Sequence, residues 1–151
     1  MIECKVTSEK IDLEALMNAN QFDKDGAQVL FTGKVRNHNQ GKTVTAVSYQ
    51  AHPKLTEKSF HEIAEECLNK WGNSLSICIC HRVGRLSINA ISVAILVSSP
   101  HRSEAFEACR FIIEQIKVRS PIWKQEHYID GDSEWLKGHA LCGHDSAHST
   151  L

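Results

Sequence analysis

The sequence has no excess charge of either sign: 17 Lys and Arg stand against 18 Asp and Glu, a net −1 at pH 7. Nothing global therefore draws the chain to nucleic acid or to an anionic membrane, and any anion site must be local. Long hydrophobic runs are missing as well. No stretch approaches the roughly 20 apolar residues that cross a bilayer. Met1-Ile2-Glu3-Cys4-Lys5 carries no basic region followed by an apolar run, so the chain is expected to be soluble and cytoplasmic. The six cysteines (4, 67, 78, 80, 109 and 142) lack framework spacing and mostly sit inside apolar patterns, as reduced thiols do, so no disulfide is expected. No glycine-rich phosphate loop follows a strand, which counts against a nucleotide-binding fold. Internal repeats and low-complexity tracts are absent too.

What is present fits one domain. At 151 residues with 42% hydrophobic content, the chain can bury roughly two-thirds of its unfolded surface. Leu13, Leu16 and Met17 recur at helical spacing in a short helix from about Ile11 to Asn20. Residues 27–36 read as a strand, with Ala27, Val29, Phe31 and Val35 on one face and Lys34 and Arg36 on the other. Asn37-His38-Asn39-Gln40-Gly41 is dense in turn formers, so Thr43 to Ala51 is expected to return as the antiparallel partner of that strand.

Pro53 suits the first turn of a long helix carrying Phe60, Ile63, Ala64, Cys67, Leu68 and Trp71, and Gly72 stops it. Leu75, Ile77, Ile79 and Val83 alternate along one further strand, and Ile91, Val93, Ile95 and Val97 along another, so the two should form a hairpin. Ser103-Glu104 opens a second long helix with Ala105, Cys109, Ile112 and Ile116 on one stripe. Pro121 ends it because Ser120 is pushed out of the helical region, and 122–130 should be extended. From Gly138 onward small polar residues and three histidines show no periodicity, which predicts a flexible tail at 138–151 behind a domain at 1–137. The class is α+β, an antiparallel or mixed sheet covered by two long helices; the regular βαβ alternation of a doubly wound sheet is not there.

Four basic clusters sit at turns or element ends, where side chains can converge on a ligand: Lys34-Val35-Arg36, His81-Arg82, His101-Arg102 and Lys117 through Lys124. They read either as an ordinary solvated surface or as a local pocket for phosphate or carboxylate. His101-Arg102 lies at a helix N-terminus, where free N–H groups and the helix dipole favour an anion; a plain helix cap is the alternative. Lys117 lies one step from the apolar stripe, and Lys124 follows Trp123, which could wall it. A lysine held against apolar surface loses hydration and becomes usable as acid, base or nucleophile, unless its ammonium merely snorkels to water. Cys78 and Cys80 share one strand face while His81 points to the other, which favours buried thiols over a metal set. His139, Cys142, His144 and His148 offer ligand types with no fixed scaffold, so no metal is expected.

The segments Phe31-Thr32-Gly33-Lys34-Val35-Arg36-Asn37-His38-Asn39, Thr56-Glu57-Lys58, His81-Arg82-Val83-Gly84, His101-Arg102-Ser103-Glu104-Ala105-Phe106-Glu107-Ala108 and Lys117-Val118-Arg119-Ser120-Pro121-Ile122-Trp123-Lys124-Gln125-Glu126 occur in an order that resembles the large, catalytic subunits of molybdopterin synthases. The likeness runs from about residue 27 to 136. It implies an α/β hammerhead fold and a homodimer of large subunits, each docking a small ubiquitin-like subunit to make a heterotetramer. It also implies transfer of sulfur from a thiocarboxylate on the small subunit's Gly-Gly C-terminus to cyclic pyranopterin monophosphate (precursor Z), forming the dithiolene of molybdopterin. By position, Lys117 and Lys124 match the catalytic lysines, and Lys34, Val35, Arg36, His101, Arg102, Gln125 and Glu126 match the substrate pocket. No metal or redox cofactor is implied, since the sulfur arrives activated. Two departures stand out: Asn89-Ala90 replaces a Gly-Asp turn, and Pro100 precedes His101. A member that docks the small subunit without turnover is the alternative reading, and a small-anion hydrolase using His101 as base is a third.

Overall fold

The computed structural model describes residues 1–137, so His139, Cys142, His144, His148 and the expected flexible tail lie outside the described residues. In chain order the elements are β1 (Ile2–Thr7), α1 (Leu13–Asn18), β2 (Ala27–Lys34), β3 (His38–Asn39), β4 (Lys42–Ala51), α2 (Pro53–Trp71), β5 (Ser76–Arg82), β6 (Gly84–Ser87), β7 (Ile91–Ser99), α3 (Arg102–Arg119), β8 (Ile122–Tyr128), β9 (Gly131–Asp132) and β10 (Leu136–Lys137). The α+β class and the two long helices are as the sequence predicts. The sheet is two sheets.

The first has the order β1-β5-β7-β2 and is mixed, because β1 runs parallel to β5 while β5–β7 and β7–β2 are antiparallel. β1 is an addition to the sequence reading. The helices α2 and α3 cover one face of this sheet. Phe60, Ile63, Ala64 and Cys67 of α2 and Ala105, Ala108, Cys109, Ile112 and Ile116 of α3 meet Ile77, Ile79, Val93, Ile95 and Val97 in the main core. Each of the larger side chains contributes roughly 1.5–3 kcal/mol by leaving water. The ends of α2 are set locally. His52 accepts the Leu55 N–H at 3.2 Å, Pro53 occupies the first turn, and Gly72 closes the helix at φ 118°.

The second sheet has the order β10-β8-β4-β3, with β6 also on β4 and β9 on β8, all antiparallel. Two expectations are corrected here. β4 does not pair with β2, which ends its sheet beside β7; β4 crosses into the second sheet, where β3, β6 and β8 pair with it. β5 and β7 are antiparallel neighbours, but the chain between them detours through β6, which pairs with β4. β6 thus joins the sheets. Asn89 in the turn before β7 has φ 73°, the left-handed conformation that asparagine tolerates, so the departure from glycine is accommodated.

Val35 is buried, yet it belongs with Val44, Val47 and Leu86 in a second, smaller core and not with Phe31. The reason is a register shift at Gly33–Lys34, where β2 skips Ser92 of β7 and leaves the sheet. Gly33 permits this close approach. A Cβ there would come within 2.7 Å of the Val93 side chain. No described helix is long and apolar enough to cross a membrane.

Candidate active site

Where β2 peels away, the two sheets and the C-terminal end of α3 leave a cavity between them. Its walls carry Lys34, Val35 and Arg36 after the bulge, Ser92 and Val93 of β7, and Ile113, Ile116 and Lys117 of α3. Val47 and Tyr49 of β4, His81 of β5, and Ile122, Lys124 and Glu126 of β8 complete them. Alternation explains the last set: Ile122, Lys124 and Glu126 share one face of β8, so Trp123 and Gln125 must face away. Trp123 is exposed and is not the apolar wall expected of it; Val47, Ile113, Ile116 and Ile122 serve instead. Gln125 donates to the Ser133 carbonyl at 3.2 Å and holds the chain that leads to β10.

Six of the nine expected site residues therefore converge: Lys34, Val35, Arg36, Lys117, Lys124 and Glu126. His101 and Arg102 do not join them in one chain. His101 is the N-cap of α3, without a side-chain cap hydrogen bond, and both residues are exposed. α3 has 18 residues, which puts its two ends about 25 Å apart.

The cavity's electrostatics are unequal around its wall. Lys117 is half-buried, and the side chain of Lys124 is 18% exposed with its Nζ 3.9 Å from Glu126 Oε1. Glu126 is buried and its Oε2 accepts hydrogen bonds from the Tyr128 hydroxyl at 2.7 Å and from the Asn39 amide. The Tyr128 phenol is in turn held above its ordinary range, by burial first and then by donating to that carboxylate.

His81, which the sequence offered only as half of the basic cluster His81-Arg82, also lines the cavity. It closes the core-facing stripe Ile77, Ile79, His81, so an imidazole at the end of an apolar alternation was the available signal. Its ring lies edge-on to Tyr49 at 5.0 Å, and Nδ1 is 2.8 Å from the Arg82 carbonyl. Burial lowers its pKa to about 4, assisted by the ammonium groups of Lys117 and Lys124 and opposed by that hydrogen bond. The ring is thus neutral at pH 7. A carbonyl can only accept, so the proton sits on Nδ1 and Nε2 presents a lone pair.

The five described cysteines are free thiols, none of them lining this cavity. Burial pushes Cys4, Cys67 and Cys78 up to about 12 and Cys109 to about 11, so they stay protonated and unreactive near neutrality. A Ser48–His127–Asp132 chain also exists. His127 Nε2 is 2.7 Å from Ser48 Oγ and its Nδ1 is 2.9 Å from Asp132 Oδ1. It lies on the face of the second sheet away from the cavity and ties β4, β8 and β9 together.

A buried carboxylate, three lysines and an arginine around one hollow, with no cysteine of the described residues in its wall, define a class: an α+β protein with a basic cavity between two sheets, of a composition suited to anions. The comparisons narrow the class. Residues 6–119 match the family model described as MoaE protein, and the chain belongs to that family. A Nostoc protein named molybdopterin synthase catalytic subunit is 39% identical over 131 residues, covering 87% of this chain and 79% of the relative. The crystal structure of molybdopterin synthase from Staphylococcus aureus superposes with a TM-score of 0.82 at 37% identity, covering 87% of this chain and 95% of that one. A Helicobacter pylori complex of subunits 1 and 2 of molybdopterin-converting factor gives 0.69 at 20% identity over 87% of each chain, which speaks to the fold alone.

Proposed function

We propose that this chain is the catalytic subunit of a molybdopterin synthase, taking sulfur from the thiocarboxylated Gly-Gly end of a small ubiquitin-like subunit and placing it on cyclic pyranopterin monophosphate. The observation that carries the reading is the meeting of Lys117 and Lys124 with Arg36 in one cavity. Both reactants are anions, and a partly buried basic hollow draws a carboxylate-like tail and a cyclic phosphate to the same place.

The chemistry assigns roles. The thiocarboxylate sulfur attacks a side-chain carbon of the pterin, a C–S bond forms, and the C–O bond to the departing oxygen breaks. Lys117 is the principal acid that protonates that oxygen, with Lys124 as its partner. Water then cleaves the acyl–sulfur bond, which leaves a carboxylate on the small subunit and sulfur on the pterin. Arg36 and Lys34 hold the phosphate.

His101 and Arg102 can serve this cavity only from a second copy, because α3 holds them about 23 Å along its axis from Lys117 in their own chain. The helix supports such an arrangement. Arg102, Phe106, Ile113 and Lys117 fall within about 60° on one side of α3, and Phe106 is 61% exposed. A second copy laid antiparallel along that stripe would bring its Arg102 to this chain's Lys117, giving a homodimer with two sites and, with two small subunits, a heterotetramer.

Reconstitution with thiocarboxylated small subunit and the cyclic pterin tests this. Wild type should yield molybdopterin, and Lys117→Ala should lose about 10²–10⁴ in rate while still assembling. A wild-type chain that docks the small subunit without turnover would establish the scaffold reading instead, and full activity of Lys117→Ala would remove that lysine from the mechanism.

A further inference from the structure

A buried carboxylate beside an ammonium ordinarily closes to a contact pair at about 2.8 Å. Glu126 does not. Its Oε1 stops 3.9 Å from Lys124 Nζ, while Oε2 is occupied by two neutral donors, Tyr128 and Asn39. The donors come from separate parts of the chain. Tyr128 follows Glu126 on β8, and Asn39 belongs to the β3–β4 hairpin, whose turn passes through Gln40 at φ 51° and Gly41 at φ 76°. The hairpin grips the tyrosine twice: the Asn39 amide also reaches its hydroxyl at 3.4 Å, and Lys42 Nζ lies 5.0 Å over its ring.

We infer that Asn39 and Tyr128 are positioning residues for Lys124: by engaging Oε2 they hold Glu126 off the ammonium, which leaves the Lys124 ammonium available to an anionic substrate. The charge of Glu126 still offsets the cations that share the cavity, Lys34, Arg36 and Lys117, beside exposed His38 and neutral His81. The tether decides how tightly. A carboxylate freed on one oxygen would swing onto Lys124 and take the ammonium away from the reacting groups. Two strands distant in sequence thus set the surroundings of one lysine, an inference that rests on the sulfur-transfer reading only for the step that lysine serves.

The test separates the two claims by reading the lysine directly. In full-length protein labelled with ¹³C-lysine, the Lys124 Cε resonance, assigned against Lys124→Arg, is titrated through the alkaline range. Tyr128→Phe, which keeps the ring under Lys42, and Asn39→Ala should each raise the Lys124 midpoint by about half a pH unit or more. Glu126→Gln removes the negative charge and should lower it by a similar amount. The high-pH limb of the kcat profile in the reconstituted assay should move in the same direction for each variant. Opposite displacements are not what simple loosening of the fold produces. Wild-type midpoints in both donor variants, or a fall in them, would overturn the inference even if molybdopterin is made. Displaced midpoints with no turnover by wild type would support the tether and remove the proposed function. Each donor has its own variant, so a failure of one to fold leaves the other to decide.

Discussion

His81 shows how a single side chain acquires a state that its type does not dictate. An exposed histidine titrates near 6.5, but burial against Tyr49 and two neighbouring ammonium groups brings this one to about 4. The folded pKa lies below the unfolded value, so the unfolded chain binds the extra proton first. The stability that His81 contributes as a neutral ring is whole above pH 6.5 and drains away as pH falls toward 4. The loss should approach about 3 kcal/mol at the acid end. Urea melts of wild type and His81→Phe between pH 7 and 4 check it: the wild-type decline should be steeper by that amount, and parallel curves would mean that the imidazole is not buried neutral. This residue also shows why an expected pair, His81-Arg82, contributes only one member to the cavity wall. Neighbours on a strand face opposite ways.

At the scale of the element, β8 carries the site and its support on its two faces. Lys124 and Glu126 turn inward, while Gln125 and His127 fasten the next strands on the other side. His127→Ala would strand Ser48 and cut Asp132 loose, for an expected cost of about 1–3 kcal/mol, measured by thermal or urea unfolding. A chain as stable as wild type would show that β9 holds without it. The resemblance of Ser48–His127–Asp132 to a nucleophile relay is geometric, and its place behind the sheet gives it a structural duty. α2 offers a second test of element packing. Phe60 is fully buried at the centre of the main core, so Phe60→Ala should lose about 3–5 kcal/mol, whereas the exposed Arg119–Glu66 pair between α3 and α2 should contribute less than about 1 kcal/mol.

At the scale of the whole molecule, the length of α3 separates residues that the proposed reaction requires together. A mixed-variant assay tests whether two copies share each site. Lys117→Ala and Arg102→Ala chains, each weak alone, would be unfolded together, refolded and assayed. If Arg102 acts across the dimer, half the dimers are mixed and each has one intact site of two, so about a quarter of wild-type activity should return. If it acts within its own chain, every site carries a defect and nothing returns.

Much of this architecture was readable one element at a time. The stripes Phe60–Ile63–Ala64–Cys67 and Ala105–Cys109–Ile112–Ile116 are local periodicities, and so are the alternations along β5 and β7, which is why those elements fall where the sequence puts them. β1 obeys the same rule, since Ile2, Cys4 and Val6 alternate with Glu3 and Lys5 and pack against the core, but its parallel partner lies some 75 positions away by register with β5. Of the site, the lysines, Arg36 and Glu126 were legible because their segments match a family. The roles of Asn39, Tyr128 and His81 were not, because each depends on what stands opposite it.

The sequence by itself determined the class, the long helices and the buried faces of β5 and β7, since these follow from spacing of 2 or 3.6 residues, and the resemblance of its segments to a family supplied the chemical kind of the site. Only the tertiary structure decided that β4 leaves β2 for another sheet, that Trp123 and Gln125 turn away from the cavity, and that His101 and Arg102 stand a helix length from Lys117. Strand partners and charge neighbours are chosen by contacts between residues far apart in the chain, and local periodicity carries no information about which surfaces those contacts will join.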